Sequence, residues 1–91
     1  MIKKVKIKMF GRVQGVWFRE SAKKKAHELE INGWIRNEPD GTVYAEVEGE
    51  DEKIEKFIEW CQEGPELSKV EKVEIEEVGN LKGYKDFEVR Y

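Results

Sequence analysis

Two glycines and two arginines fall within nine residues, in the run Gly11-Arg12-Val13-Gln14-Gly15-Val16-Trp17-Phe18-Arg19. A strand-like segment precedes the run and a helix-like segment follows it. Glycine lets the backbone turn without a Cβ penalty, and successive inward N–H groups make a concavity suited to an anion. The first turn of the following helix adds amides without internal partners and the positive end of the helix dipole. Arg19 falls in that turn, where its planar fork can grip two oxygens of one anion. Phosphate is the ligand this arrangement suits. Glycine-bearing turns between strand and helix are also ordinary structure. Two features favour a site: bulky Val16, Trp17 and Phe18 imply a packed, fixed loop, and Arg19 is a lone arginine in a helix otherwise served by lysines. Arg12 is equally well read as a solvated charge.

The elements that must hold this loop are short. The chain has 91 residues, enough for one domain over residues 1–91. Charged residues make up 41% and hydrophobic ones 38%, so strands and helices should each have one dry face. With 17 Lys plus Arg against 20 Asp plus Glu, the net charge is −3, which argues against nucleic acid as a partner. Glutamate and lysine dominate the charges, a bias found in proteins from very hot environments. The single cysteine, Cys61, excludes an internal disulfide and a cysteine metal cage, and cytoplasm is the expected compartment. No apolar run reaches the roughly 20 residues of a membrane helix, and the N-terminus lacks a signal-peptide pattern. The absence of a spare apolar face predicts a monomer.

Residues 2–10 alternate, with Val5, Ile7 and Met9 on one face and Lys4, Lys6 and Lys8 on a solvated one, predicting a half-buried strand. Phe18, Ala22, Ala26 and Leu29 predict a helix over 18–30, stopped by Asn32-Gly33. His27, near its end, reads as a surface charge. Trp34–Asn37 and Thr42–Glu48 form a hairpin turned by Glu38-Pro39-Asp40-Gly41. Gly41 and Gly49 read as turn glycines. Ile54, Phe57, Ile58 and Cys61 mark the buried stripe of a second helix, ended by Gly64-Pro65, so Cys61 reads as core. Residues 70–78, with Val73 and Ile75 inward, and Phe87-Val89-Tyr91 complete the strands. The order predicts an α+β, ferredoxin-like βαββαβ sandwich: an antiparallel sheet, two helices on one face and a short extra C-terminal strand. That architecture hosts enzymes and binding modules alike, so function must come from the site.

No Cys-x-x-Cys, Walker loop or aromatic RNA-binding strand is present. The run 11–19, with Gly33-Trp34-Ile35-Arg36-Asn37 and Asp40-Gly41-Thr42-Val43, closely resembles the acylphosphatase family. Gly64-Pro65, Val70, Val73 and the closing Phe87-Glu88-Val89-Arg90-Tyr91 extend the resemblance over the whole chain. Glu30 stands where many members have glycine, and Trp17 fills a variable position. Domains of this kind also sit inside larger carbamoyl-phosphate-handling proteins, whereas this sequence reads as complete in itself.

The resemblance implies hydrolysis of the carboxyl–phosphate anhydride of acyl phosphates, without metal or other cofactor. It implies Arg19 and Asn37 as catalytic residues and Gln14, Gly15, Val16, Trp17 and Phe18, with Arg19, as the phosphate cradle. Inorganic phosphate or sulfate would bind as product-like ligands. On its own, Asn37 reads as a strand-end residue before Glu38-Pro39. The competing reading is a non-catalytic module that holds a phosphorylated ligand or nucleic-acid backbone in the same loop. A water-positioning amide beside the clamp distinguishes the two.

Overall fold

Alternating side chains place Val5, Ile7 and Met9 on the dry side of the first strand, and all three are buried in the computed structural model, which describes Met1–Tyr91. The elements run β1 (Ile2–Arg12), α1 (Phe18–Glu28), β2 (Asn32–Asn37), β3 (Val43–Glu50), α2 (Asp51–Glu63), β4 (Lys69–Val78) and β5 (Phe87–Arg90). One five-stranded sheet has the order β4-β1-β3-β2-β5. Phe18, Ala22 and Ala26 of α1 and Ile54, Phe57 and Cys61 of α2 close over Val5, Ile7, Met9, Ile35, Ala45 and Val47 in one core. Trp60 ties the two helices together, 5.4 Å from the Phe18 ring and 6.1 Å from Phe57 between centroids. This is the ferredoxin-like α+β fold.

The sheet is mixed rather than wholly antiparallel. β1, β3, β4 and β2 pair antiparallel, but β5 lies parallel to β2, with Ile35 opposite Val89. Connectivity forces this. β4 descends at one edge of the sheet, and the chain then crosses to the other edge before rising beside β2, which also rises.

Several local expectations shift for physical reasons. Helix α1 ends at Glu28, not residue 30: Leu29 caps it, and Glu30 takes φ 57°, the left-handed conformation that reverses the chain. Asn32 and Gly33 therefore open β2 instead of stopping the helix. Gly33 is required by close approach, since a Cβ there would lie 1.9 Å from the Glu46 carbonyl oxygen. Gly49 is not a turn residue but a buried position inside β3, opposite Lys3 and against Ile31. Ile75 points to the helix side, opposite Ile7, yet stays half exposed because β4 is the sheet's edge.

Lys4 departs furthest from its solvated assignment and is only 5% exposed. Its Nζ lies 3.2 Å from Glu46 Oε1 and 5.3 Å from the centroid of Tyr84. Tyr84 arrives on the segment between β4 and β5, which crosses this face of the sheet. That segment is fastened by Glu48, whose carboxylate accepts the backbone N–H groups of Lys82, Gly83 and Tyr84.

Candidate active site

The β1–α1 connection is held from below and open above. The pairing of β1 with β4 slips between Phe10 and Gly11, which bends the strand toward the loop. Val13 and Val16 then drop into the core, 1% and 3% exposed, pinning the loop at two points three residues apart. Between them Gly15 takes φ 73°, and nothing lies within 4 Å of where its Cβ would be. Trp17 caps α1 with φ 66° and ψ 22°, so two left-handed residues flank Val16. The backbone N–H groups of Gly15, Val16 and Trp17 find no acceptor in the protein. Those of the first turn of α1 have no intrahelical partner either. The expectation of a wholly packed loop fails at Trp17. Its indole is 72% exposed, because the left-handed backbone turns it away from the core that takes Val16 and Phe18.

Arg19 follows on the first turn of α1. Its Nη1 donates to the Arg90 carbonyl at 3.4 Å, and its guanidinium lies 4.7 Å from the centroid of the Tyr91 ring. Asn37 closes β2, paired with Val43 of β3. Its Oδ1 is buried without a hydrogen-bond partner, a condition that native proteins rarely leave unexplained. Both residues open on one pocket of about 340 Å³, which Gly15, Trp17 and Phe18 also line.

Gln14 and Val16 do not line that pocket with their side chains. Val16 points into the core. The Gln14 amide donates to the carbonyls of Glu38 at 2.8 Å and Thr42 at 2.9 Å, tying the loop to the β2–β3 turn beside Asn37. Only the backbone of these two residues remains for a ligand.

Sequence reasoning missed Glu20 and Tyr91, which complete the pocket. Tyr91 lies just past β5, 92% exposed, and its hydroxyl donates to Glu20 Oε1 at 3.3 Å. No local pattern announces it. Tyr91 reaches the site only because β5 pairs with β2 and carries the end of the chain to the start of α1. His27 lies outside the pocket, its Nε2 3.2 Å from Asp86 Oδ1. Asp86 is held below the usual carboxylate range, first by the Phe87 N–H and also by His27. Cys61 is fully buried, and burial pushes its thiol pKa up, away from a reactive thiolate.

The turn at the foot of the hairpin is equally organised. Asp40 accepts from the Thr42 hydroxyl at 2.5 Å and from the Thr42 N–H at 3.0 Å, and Lys8 Nζ lies 3.1 Å from its other oxygen. Those bonds, the hydroxyl's foremost, pull its pKa down to about 2.

Free amides, a helix N-terminus and one guanidinium around a small pocket define an α+β protein suited to a compact, multiply charged oxyanion. The acylphosphatase family model matches residues 5–89. An acylphosphatase of Rubrobacter xylanophilus is 47% identical over 88 residues, spanning 97% of this chain and 80% of that protein. The acylphosphatase structure from Coxiella burnetii superposes with a TM-score of 0.93 at 40% identity, over 98% of this chain and 93% of the other. That from Bacillus subtilis gives 0.95 at 33% identity, with both chains covered completely. The chain belongs to the acylphosphatase family. It is a hydrolase of small acyl phosphates. No helix in it is long and apolar enough to cross a membrane.

Proposed function

We propose that Arg19 and Asn37 are the catalytic residues, and that the backbone from Gln14 to Phe18 holds the phosphoryl group, with no metal required. The observation that carries this reading is the convergence of Arg19, from α1, and Asn37, from β2, on one pocket edged by unpaired loop amides. Phosphoryl transfer asks a protein chiefly to position the reactants and to stabilise charge on the equatorial oxygens. Arg19 and the amides provide that stabilisation. Asn37 holds a water in line with the scissile bond between phosphorus and the acyl oxygen. A carboxamide takes no proton at neutral pH, so the water's proton passes to a phosphoryl oxygen as the new P–O bond forms. The acyl oxygen departs with the electron pair of the broken bond as a carboxylate, which needs no general acid. Ordinary phosphate monoesters, with poorer alkoxide leaving groups, are therefore turned over weakly.

Residues 1–91 act as one catalytic unit, a reading supported by a pocket whose lining runs from Val13 after β1 to Tyr91 after β5. Phosphate and sulfate bind as product-like ligands in the same cradle. The unpaired Cys61 supports a reducing, cytoplasmic setting.

Steady-state hydrolysis of benzoyl phosphate, with and without EDTA, tests the mechanism. Asn37→Ala should lower kcat by about 10²-fold, while KM and competitive inhibition by phosphate stay nearly constant. Arg19→Lys keeps the charge but loses the fork, so both affinity and turnover should fall. Near wild-type kcat in folded Asn37→Ala would refute water positioning. Abolition by EDTA and rescue by Mg²⁺ would refute the metal-free route.

A further inference from the structure

We propose that Trp17 is a specificity-determining residue whose indole forms an apolar wall for the acyl group, favouring acyl phosphates with aromatic bodies over acetyl-sized ones. The inference rests on the cradle reading above. Trp17 sits between two residues that are 3% and 2% exposed, Val16 and Phe18, yet is itself 72% exposed. Its indole makes no aromatic, cation–π or hydrogen-bond contact anywhere in the chain. Packing does not account for it. Neither does the backbone: φ 66° is a conformation that glycine adopts freely and a bulky side chain adopts at a cost. A large apolar side chain is thus held in solvent, on a strained residue, at the rim of the pocket that takes the phosphoryl group.

Chemistry at that rim narrows the role. Backbone amides and Arg19 serve the phosphoryl end, leaving the acyl group to be met by side chains. The pocket's other apolar members, Val13 and Phe18, are committed to the core. Tyr91 stacks on Arg19 and bonds Glu20, so its ring is already engaged. The Trp17 indole alone is free to stack. The pocket's roughly 340 Å³ is at the lower end of small-molecule sites, about 300–1,000 Å³, and exceeds what one phosphoryl group fills. A flat benzoyl group would lay its ring against the indole, whereas an acetyl group has no surface to offer it.

The test is the ratio of kcat/KM for benzoyl phosphate to that for acetyl phosphate in wild type, Trp17→Gly and Trp17→Phe. Both substrates present the same phosphoryl group, so disturbance of the cradle cancels in the ratio. Glycine fits the left-handed position, and Trp17→Gly should fold and melt no lower than wild type. Its ratio should fall about tenfold, the scale of one aromatic contact with its buried area, while Trp17→Phe keeps most of the preference. An unchanged ratio in Trp17→Gly, with hydrolysis still lost in Arg19→Ala, overturns the role of Trp17 and leaves the mechanism standing. Hydrolysis of both substrates indifferent to Arg19→Ala overturns the cradle reading, and this inference with it.

Discussion

Gln14→Ala tests how the two halves of the site are held in register. The Gln14 amide is the link between the loop carrying the free N–H groups and the turn that follows Asn37. Replacement deletes two hydrogen bonds, but neither acceptor is orphaned. The Glu38 carbonyl keeps the Gly41 N–H at 3.1 Å, and the Thr42 carbonyl keeps the Glu38 N–H at 2.8 Å. The loss is therefore the net value of two bonds rather than two desolvation penalties, about 2 kcal/mol in all. For a domain of this size that lowers Tm by about 8–16 °C. Turnover should fall by about tenfold or more even where the variant is fully folded, because small misplacements of reacting groups are costly. Gln14→Glu sharpens the test. A carboxylate cannot donate, and at neutral pH it would face two carbonyl oxygens, so it should be less stable than Gln14→Ala. The introduced carboxyl has a raised folded pKa. Its penalty is absent below about pH 4, where it is protonated in both states, grows as pH rises from there to that folded value, and is constant above it. Thermal melts followed by circular dichroism, paired with benzoyl phosphate kinetics well below each midpoint, supply both readouts. A Gln14→Ala protein that melts within about 2 °C of wild type and keeps its kcat would refute the argument.

Asp40, with its pKa depressed to about 2, stabilises the fold above its unfolded pKa of about 3.9 and loses that contribution as pH falls from about 4 to 2. Asp40→Asn should flatten this part of the acid-denaturation profile, and a wild-type slope in the variant would contradict the assignment. Gly33→Ala drives a Cβ into the Glu46 carbonyl, so it should cost more than about 3 kcal/mol in urea unfolding. Phosphate at a hundredfold excess over its dissociation constant should stabilise wild type by about 2.7 kcal/mol. An equal rise in Tm in Arg19→Ala would place the anion elsewhere.

Local patterns carried much of this protein. Alternation at Val5, Ile7 and Met9 and helical spacing at Ile54, Phe57 and Cys61 depend only on which face a residue presents, and the core contains all six. The run from Gly11 to Arg19 was legible for the same reason: a turn, a helix start and an arginine are neighbours in sequence. Asn37 was different, an ordinary strand end until the resemblance gave it a role. Its approach to Arg19 depends on β2 and β1 flanking β3 in the sheet. Long-range pairing also decided what the patterns misread. Lys4 alternates as a surface residue but is covered by the segment returning from β4 to β5, and Gly33 looks like a helix stop but answers to Glu46 on the next strand. Trp17 reads as a packed residue, and its backbone turns it out. Tyr91, with nothing in its own neighbourhood to mark it, joins the pocket because β5 must run parallel to β2 and so delivers the end of the chain to the start of α1. Periodicity reports a face. Which partner covers that face, and which distant group meets it, follows from strand order and crossover, which no window of sequence contains.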